Sequence, residues 1–379
     1  MSFETALEDE AALAPLPFGR DRYVPAILTR QGERLAIRSL SESTRAAMTP
    51  LFVVHPIDNR PGTDEPVRTV TTHLSKLARQ LSGDWGRSPA FVDLRFLDTS
   101  APLEDGLHPL VSFVMQCRER GLPLAPAISG VHSPSYREAA VEASKAAHTS
   151  LALRLSSDEW ANIGTPLGDG YVQGLVTETG RDPQELHLIL DVEEVPSSAM
   201  VAAAIRGVLR GLPFSNQWAS VTVLGTAMPA GTQEVGRDGE KHLSRREWDL
   251  WRALTDTDYR RPSFGDYGVQ NPDPISNFDP RFMDSSAQLR YTTPNTWFVV
   301  RGRGMKAVDG GADQIRGLAE RIVSNPEIYS GRDFSWGDWW LWEVVNNGAA
   351  PGRQGVWRKV TTNHHLTYVV DQLANLLGS

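Results

Sequence analysis

The sequence predicts an α/β protein of the TIM type, a (β/α)8 barrel with a tryptophan-rich C-terminal extension. Two observations carry this. Short apolar, β-branched runs recur along the chain, each followed by helix-start chemistry and an amphipathic stretch. The runs are continuous rather than alternating, as strands buried on both faces of a parallel sheet are. Eight can be counted, at residues 51–54, 90–96, 124–129, 150–155, 186–192, 220–228, 263–269 and 296–301. An open doubly wound sheet is the alternative. It usually carries a glycine fingerprint after its first strand, where this chain has His55-Pro56-Ile57-Asp58.

The helices between the runs announce themselves. Ser133-Pro134 offers an N-cap with proline in the first turn. Ser156 to Glu159 and Ser244 to Glu247 both fit a capping box. Pro196-Ser197-Ser198 leads into an alanine- and leucine-rich helix over 199–210, and a final helix is expected over 366–377. Residues 226–241 and 271–286 read as long loops. Trp336, Trp339, Trp340, Trp342 and Trp357 crowd an extension over 332–363, where they are expected to pack a cap onto one end of the barrel. No linker divides the chain, so residues 23–379 are expected to form one domain behind a tail at 1–22.

Composition narrows the function. The chain has 379 residues, 40% apolar and 22% charged, with a net charge of −8. Such a field does not attract nucleic acid or acidic membranes. The single cysteine, Cys117, sits in an apolar helical pattern and reads as a buried small hydrophobe. The first ten residues lack the apolar segment of a signal peptide, and no apolar run reaches the roughly 18 residues that span a bilayer, so a cytoplasmic location is expected.

Reactive residues of such barrels collect at the C-terminal ends of the strands. That rule selects His55, Asp93, Arg95, Arg154, Asp191, Glu193, Glu194, Asp266 and Tyr267, with Arg290, Tyr291 and Arg301 around the last run. Asp93 and Arg95 are two residues apart and should share a face, as should Asp191 and Glu193. Each pair is either an internal salt-bridge network or part of a ligand site. The carboxylates could serve acid–base chemistry or hold Mg2+, though no spacing requires a metal and a structural zinc site is not expected. His364-His365 lacks helical zinc spacing and fits a hydrogen-bond network near the site or the start of the final helix. Arg301-Gly302-Arg303-Gly304-Met305-Lys306-Ala307 reads as a surface turn or as a phosphate-binding turn after the last strand.

Several strings together resemble the phage-type beta protein family. They are Tyr23-Val24-Pro25-Ala26-Ile27, Gly32-Glu33-Arg34-Leu35-Ala36, Phe264-Gly265-Asp266-Tyr267, Leu289-Arg290-Tyr291-Thr292, Phe334-Ser335-Trp336-Gly337-Asp338 and Asn363-His364-His365-Leu366. The resemblance implies a barrel-like fold and a role in phage–host conflict, and no known reaction.

Three functions follow as expectations. The first is an enzyme, hydrolytic on a phosphorylated or nucleotide-like molecule. In it Arg290, Arg301 and Arg303 bind anionic oxygens and, with Asp93, Arg95, Arg154 and Tyr291, form the ligand-binding set. Asp266, Tyr267, Asp191, His364 and His365 form its catalytic set. The second is a non-catalytic module that senses a phage component or partners another protein. The third is a glycosidase working through two carboxylates. Asp266, Tyr267, Arg290, Tyr291 and one of the two histidines are expected to converge on one pocket at the barrel mouth.

Overall fold

Eight parallel strands follow one another in chain order around a single sheet. They are β1 (Ala26–Leu28), β2 (Leu51–Val53), β3 (Ala90–Asp93), β4 (Leu124–Ile128), β5 (Leu151–Leu155), β6 (Leu186–Glu194), β7 (Ser220–Thr226) and, after an excursion through β8 (Glu240–Ser244), β9 (Ser263–Asp266). A backbone hydrogen bond from Val24 N–H to the Phe264 carbonyl, 2.9 Å, joins the first strand to the last and makes the seam of the barrel. At that seam Gly265 is required: a Cβ there would lie 2.8 Å from the Val24 carbonyl oxygen and 3.0 Å from Thr222 Cγ2. This computed structural model describes residues 22–379 apart from 61, 104–105, 232–233, 255–258, 273–285, 307–310, 312–313 and 378–379.

The helices are α1 (Gln31–Arg38), α2 (Glu42–Ala46), α3 (Val70–Trp85), α4 (Pro109–Glu119), α5 (Pro134–Ala146), α6 (Ser157–Trp160), α7 (Pro166–Thr179), α8 (Ser198–Gly211), α9 (Arg246–Arg252), α10 (Gln314–Val323), α11 (Trp336–Asn346) and α12 (Gln354–Leu377). Ser133 caps α5 by accepting from Tyr136 N–H, and Ser156 with Glu159 forms the expected capping box. Ser244 instead ends β8, and Glu247 is buried, accepting from the Ala227 amide at 3.1 Å.

Strand alternation sorts the core into two layers. Val24, Ala26, Leu51, Val53, Phe91, Ala125, Ala127, Ala152, Ile189 and Leu224 fill the lumen together with Tyr267. The other face of each strand packs the outer helices. His187 closes the lower lumen between Ser220 Oγ at 2.8 Å and Ser150 Oγ at 3.1 Å.

Two further expectations are corrected. Residues 296–301 belong to β11 (Thr296–Gly304), the middle strand of an antiparallel sheet ordered β10 (Ser286–Thr292), β11, β8. A buried apolar run does not reveal which kind of sheet buries it. The place in the barrel is taken by β1, which directly follows Pro25, a residue that lacks a ladder donor but whose carbonyl accepts from Leu51 N–H at 2.8 Å. The second correction concerns the chain end. The final helix is not confined to 366–377, because α12 runs through Thr361, Thr362 and Asn363. Thr361 Oγ1 bonds back to the Trp357 carbonyl, and Asn363 Nδ2 donates to the Ala36 carbonyl at 3.0 Å. Asn363 therefore bridges elements and Thr361 bonds within α12, and neither caps a helix. α12 stands as the eighth outer helix, with Leu366, Val369 and Leu373 in the barrel's outer core. β10, β11, α10 and α11 form a second core with its N-terminal half. Trp340 and Trp357 pack in this second core and not in the barrel's own core. Of the expected loop over 271–286, residues 273–285 lie outside the described residues.

Candidate functional site at the C-terminal mouth

Four inward side chains meet where the strands end. Arg154, the fourth residue of β5, is 2% exposed and central. Its Nη1 donates to Asp93 Oδ2 at 2.8 Å, its Nε to Asp191 Oδ2 at 2.9 Å, and its Nη2 to the Tyr267 hydroxyl at 2.8 Å. The Tyr267 hydroxyl donates in turn to Asp191 at 2.6 Å. Asp93, Asp191 and Tyr267 come from the ends of β3, β6 and β9, so barrel closure alone brings them together. Buried charges are tolerable here because each is paired.

Around this floor lies a second ring. Arg95 folds back on Asp93, with its backbone N–H on Oδ1 and its Nε on Oδ2, both at 2.8 Å. Its side chain is 19% exposed, so the guanidinium reaches the opening. His132, after β4, receives the Ser129 backbone N–H on Nδ1 at 3.0 Å, which leaves the proton on Nε2, 3.5 Å from Asp93 Oδ1. Burial pushes the Asp93 carboxyl up, but Arg95, His132 and Arg154 outweigh it and hold the group well below the usual range.

Glu193 is the odd member. The register between β6 and β7 slips between Asp191 and Glu193, and Glu193 has φ +58°, the left-handed region that a non-glycine residue rarely adopts. Asp191 Oδ1 accepts its backbone N–H at 3.0 Å and fixes the bulge. The slip breaks the expected alternation, so Glu193 is half-buried above the cluster while Asp191 lies within it. Burial and the neighbouring Asp191 raise the Glu193 pKa against the opposing pull of Arg95 and Arg154.

The other expected site residues lie elsewhere. Asp266 and the histidines sit behind the barrel wall. Asp266 Oδ1 accepts from the Tyr23 hydroxyl at 2.5 Å and from Gly268 N–H at 2.9 Å, and its Oδ2 faces His365 Nε2 at 3.0 Å. His365 Nδ1 meets Thr292 Oγ1 at 2.8 Å. His364 bridges Asp338 Oδ2 and the Thr292 carbonyl, both at 2.9 Å, and stacks on Tyr291, whose hydroxyl also binds Asp338 at 2.5 Å. All are buried, and burial holds the His365 imidazole below the ordinary histidine range. These bonds join barrel, α11 and α12. Arg290 donates to the Val269 carbonyl rather than to Asp266. Arg301 donates to the Val235 carbonyl at 2.7 Å, and exposed Arg303 pairs with Asp238 at 2.7 Å. Both belong to the antiparallel sheet, so the glycine-rich turn does not follow a barrel strand. The five residues expected in one pocket thus divide: Tyr267 enters the mouth, while Asp266, Arg290, Tyr291 and the histidines do not.

The sequence reading missed His132, which lies beyond its strand end. The signal that could have found it was the Ser129 to Ser133 turn before α5. Among the described residues no group of three or more His, Cys, Asp or Glu side chains is arranged to hold a metal ion. None of the described helices is long and apolar enough to cross a membrane.

An eight-stranded parallel barrel with a charged mouth and an antiparallel accessory sheet defines the class as TIM-type. Residues 23–371 match the Beta protein family, and the chain belongs to it. No curated protein sequence matches it. Among solved structures it is similar to triosephosphate isomerase from Bartonella henselae, at 12% identity and TM-score 0.35, over 66% of this chain and 94% of that one. It is also similar to the carboxyl transferase domain of Rhizobium etli pyruvate carboxylase with pyruvate and biocytin, at 13% identity and TM-score 0.32, over 64% of this chain and 45% of that one.

Proposed function

We propose that this protein binds a small anionic ligand, phosphate- or nucleotide-like, at the C-terminal mouth of the barrel, in the cytoplasm. The observation that supports this is the division of labour between two arginines. Arg154 is saturated by Asp93, Asp191 and Tyr267 and builds the floor. Arg95 is anchored through Nε alone and leaves its forked end for an oxyanion. Glu193, held beside it with no described donor to its carboxylate, suits proton transfer to or from the bound molecule. Hydrolysis is therefore the reaction class to test. Asp93 and Asp191 are both spent on one guanidinium, that of Arg154, which disfavours the glycosidase reading. The biological setting we propose, on family resemblance, is phage–host conflict. Thermal-shift and calorimetric titration with inorganic phosphate and adenosine monophosphate test the reading. Arg95→Ala is expected to weaken binding at least tenfold, and Arg303→Ala to leave it unchanged. The opposite pattern would move the site to the accessory sheet.

A second reading, a module that docks a partner protein, has one observation in its favour. Seven large hydrophobic side chains are exposed among the described residues. Five of them, Val67, Leu107, Val131, Leu167 and Met200, fall on the loops and first helical turns after β2, β3, β4, β5 and β6. They ring the same end of the barrel as the mouth, whereas scattered exposure would show no such preference.

A further inference from the structure

A second concavity lies beside the mouth. A cleft of about 300 Å3 opens between the ends of β6 and β7 and strand β8, lined among others by Glu194, Thr226, Lys241, His242, Ser244 and Arg246. That volume falls at the lower end of small-molecule sites. Its charges sort themselves. Lys241 and Glu234 pair with each other at 2.9 Å. Arg246 donates through Nε to the Val195 carbonyl at 2.7 Å, which fixes its guanidinium next to the residue that follows Glu194. Glu194 accepts only a neutral amide, Asn271 Nδ2 at 2.6 Å. Arg246 and Glu194 form no ion pair with each other or with any other described residue. One cation and one anion line the same cleft, neither of them neutralised by a described residue, and they mark opposite charges on whatever fills it.

We propose that this cleft binds a small zwitterion of the α-amino acid class, its carboxylate on Arg246 and its ammonium on Glu194. Ser244 and His242, whose Nδ1 is tied to Thr296 Oγ1 at 2.9 Å, face the same space and offer further polar contacts. The site is separate from the mouth. β6 serves both, with Glu193 on the mouth side and Glu194 on the cleft side of consecutive backbone positions. An amino acid fits the charge pattern better than a phosphate, because a dianion would meet Glu194 as well as Arg246.

Each of the twenty L-amino acids is tested in turn by thermal shift and calorimetry on the full chain. At least one is expected to bind. Its N-acetyl and its carboxamide derivatives, which each lack one charge, should bind at least tenfold more weakly. Exposed Glu194→Gln should cost at least tenfold in affinity without a change in melting temperature, and Arg246→Lys should do so if Arg246→Gln proves unstable. Arg95→Ala should leave this binding intact, which separates it from the mouth. The proposal is overturned if no amino acid binds, if both derivatives bind as well as the parent, or if Arg95→Ala abolishes binding.

Discussion

Asp266 and Tyr267 are consecutive residues that serve opposite sides of one wall. The Asp266 carboxylate faces His365 Nε2 at 3.0 Å outside the barrel, and the Tyr267 hydroxyl meets Arg154 at 2.8 Å inside it. Their mutants should differ in kind. Asp266→Asn disturbs a buried carboxylate that accepts from Tyr23 and Gly268 as well, and should cost about 3–5 kcal/mol of stability. Tyr267→Phe removes one hydroxyl and should cost about 1–3 kcal/mol. Urea denaturation measures both, and an Asp266→Asn protein as stable as wild type would refute the structural role.

The barrel should weaken in acid through His187. Burial drops its pKa from 6.5 to about 3. The unfolded chain then takes up a proton that the folded chain refuses, so stability falls as pH descends from about 6.5 toward 3. At pH 4.5 the deficit from this group should reach about 2–3 kcal/mol. Denaturation at pH 7 and pH 4.5 checks it, since His187→Gln should shrink the difference between the two by that amount.

Gly265→Ala places a methyl group against the Val24 carbonyl at the seam. A loss of about 1–3 kcal/mol is expected from overpacking. Hydrogen exchange should show the Val24 amide losing protection before amides of β4 and β5. Uniform loss across the barrel would contradict a local effect.

At position 193 the usual order of glycine and alanine should reverse. At φ +58° alanine carries a steric penalty of about 1–2 kcal/mol that glycine escapes. Glu193→Gly should therefore melt higher than Glu193→Ala. Equal melting temperatures would mean that the bulge relaxes when the side chain is removed.

Cys117 is buried, and burial pushes its thiol up to about 12. Native protein should resist thiol reagents, and Cys117→Ser should cost about 1–2 kcal/mol. Labelling within seconds of mixing would show that the site opens.

The alternation of apolar runs and helix starts revealed the barrel because each strand is buried on both faces and each helix begins with its own cap. Strand ends located Asp93, Arg154, Asp191 and Tyr267 for the same reason. Residues 296–301 misled because apolarity reports burial and not direction. Asp266 misled because it and Tyr267 alternate, and the sequence does not say which of the two turns inward. The bulge at Glu193 had no signal, since the residue there is not glycine. The histidines of α12 could not be placed while their helix was taken to begin after them.

The bond from Asn363 to the Ala36 carbonyl spans 327 residues of sequence, and the seam joins Val24 to Phe264. During synthesis the first strand must wait for Phe264, and the first helix for Asn363, to leave the ribosome. Until then β1 exposes an unpaired edge and α1 an uncovered apolar flank. Contacts so distant in sequence close slowly. Chains shortened by even part of α12 should therefore expose the early barrel to aggregation, however many of its eight strands they contain.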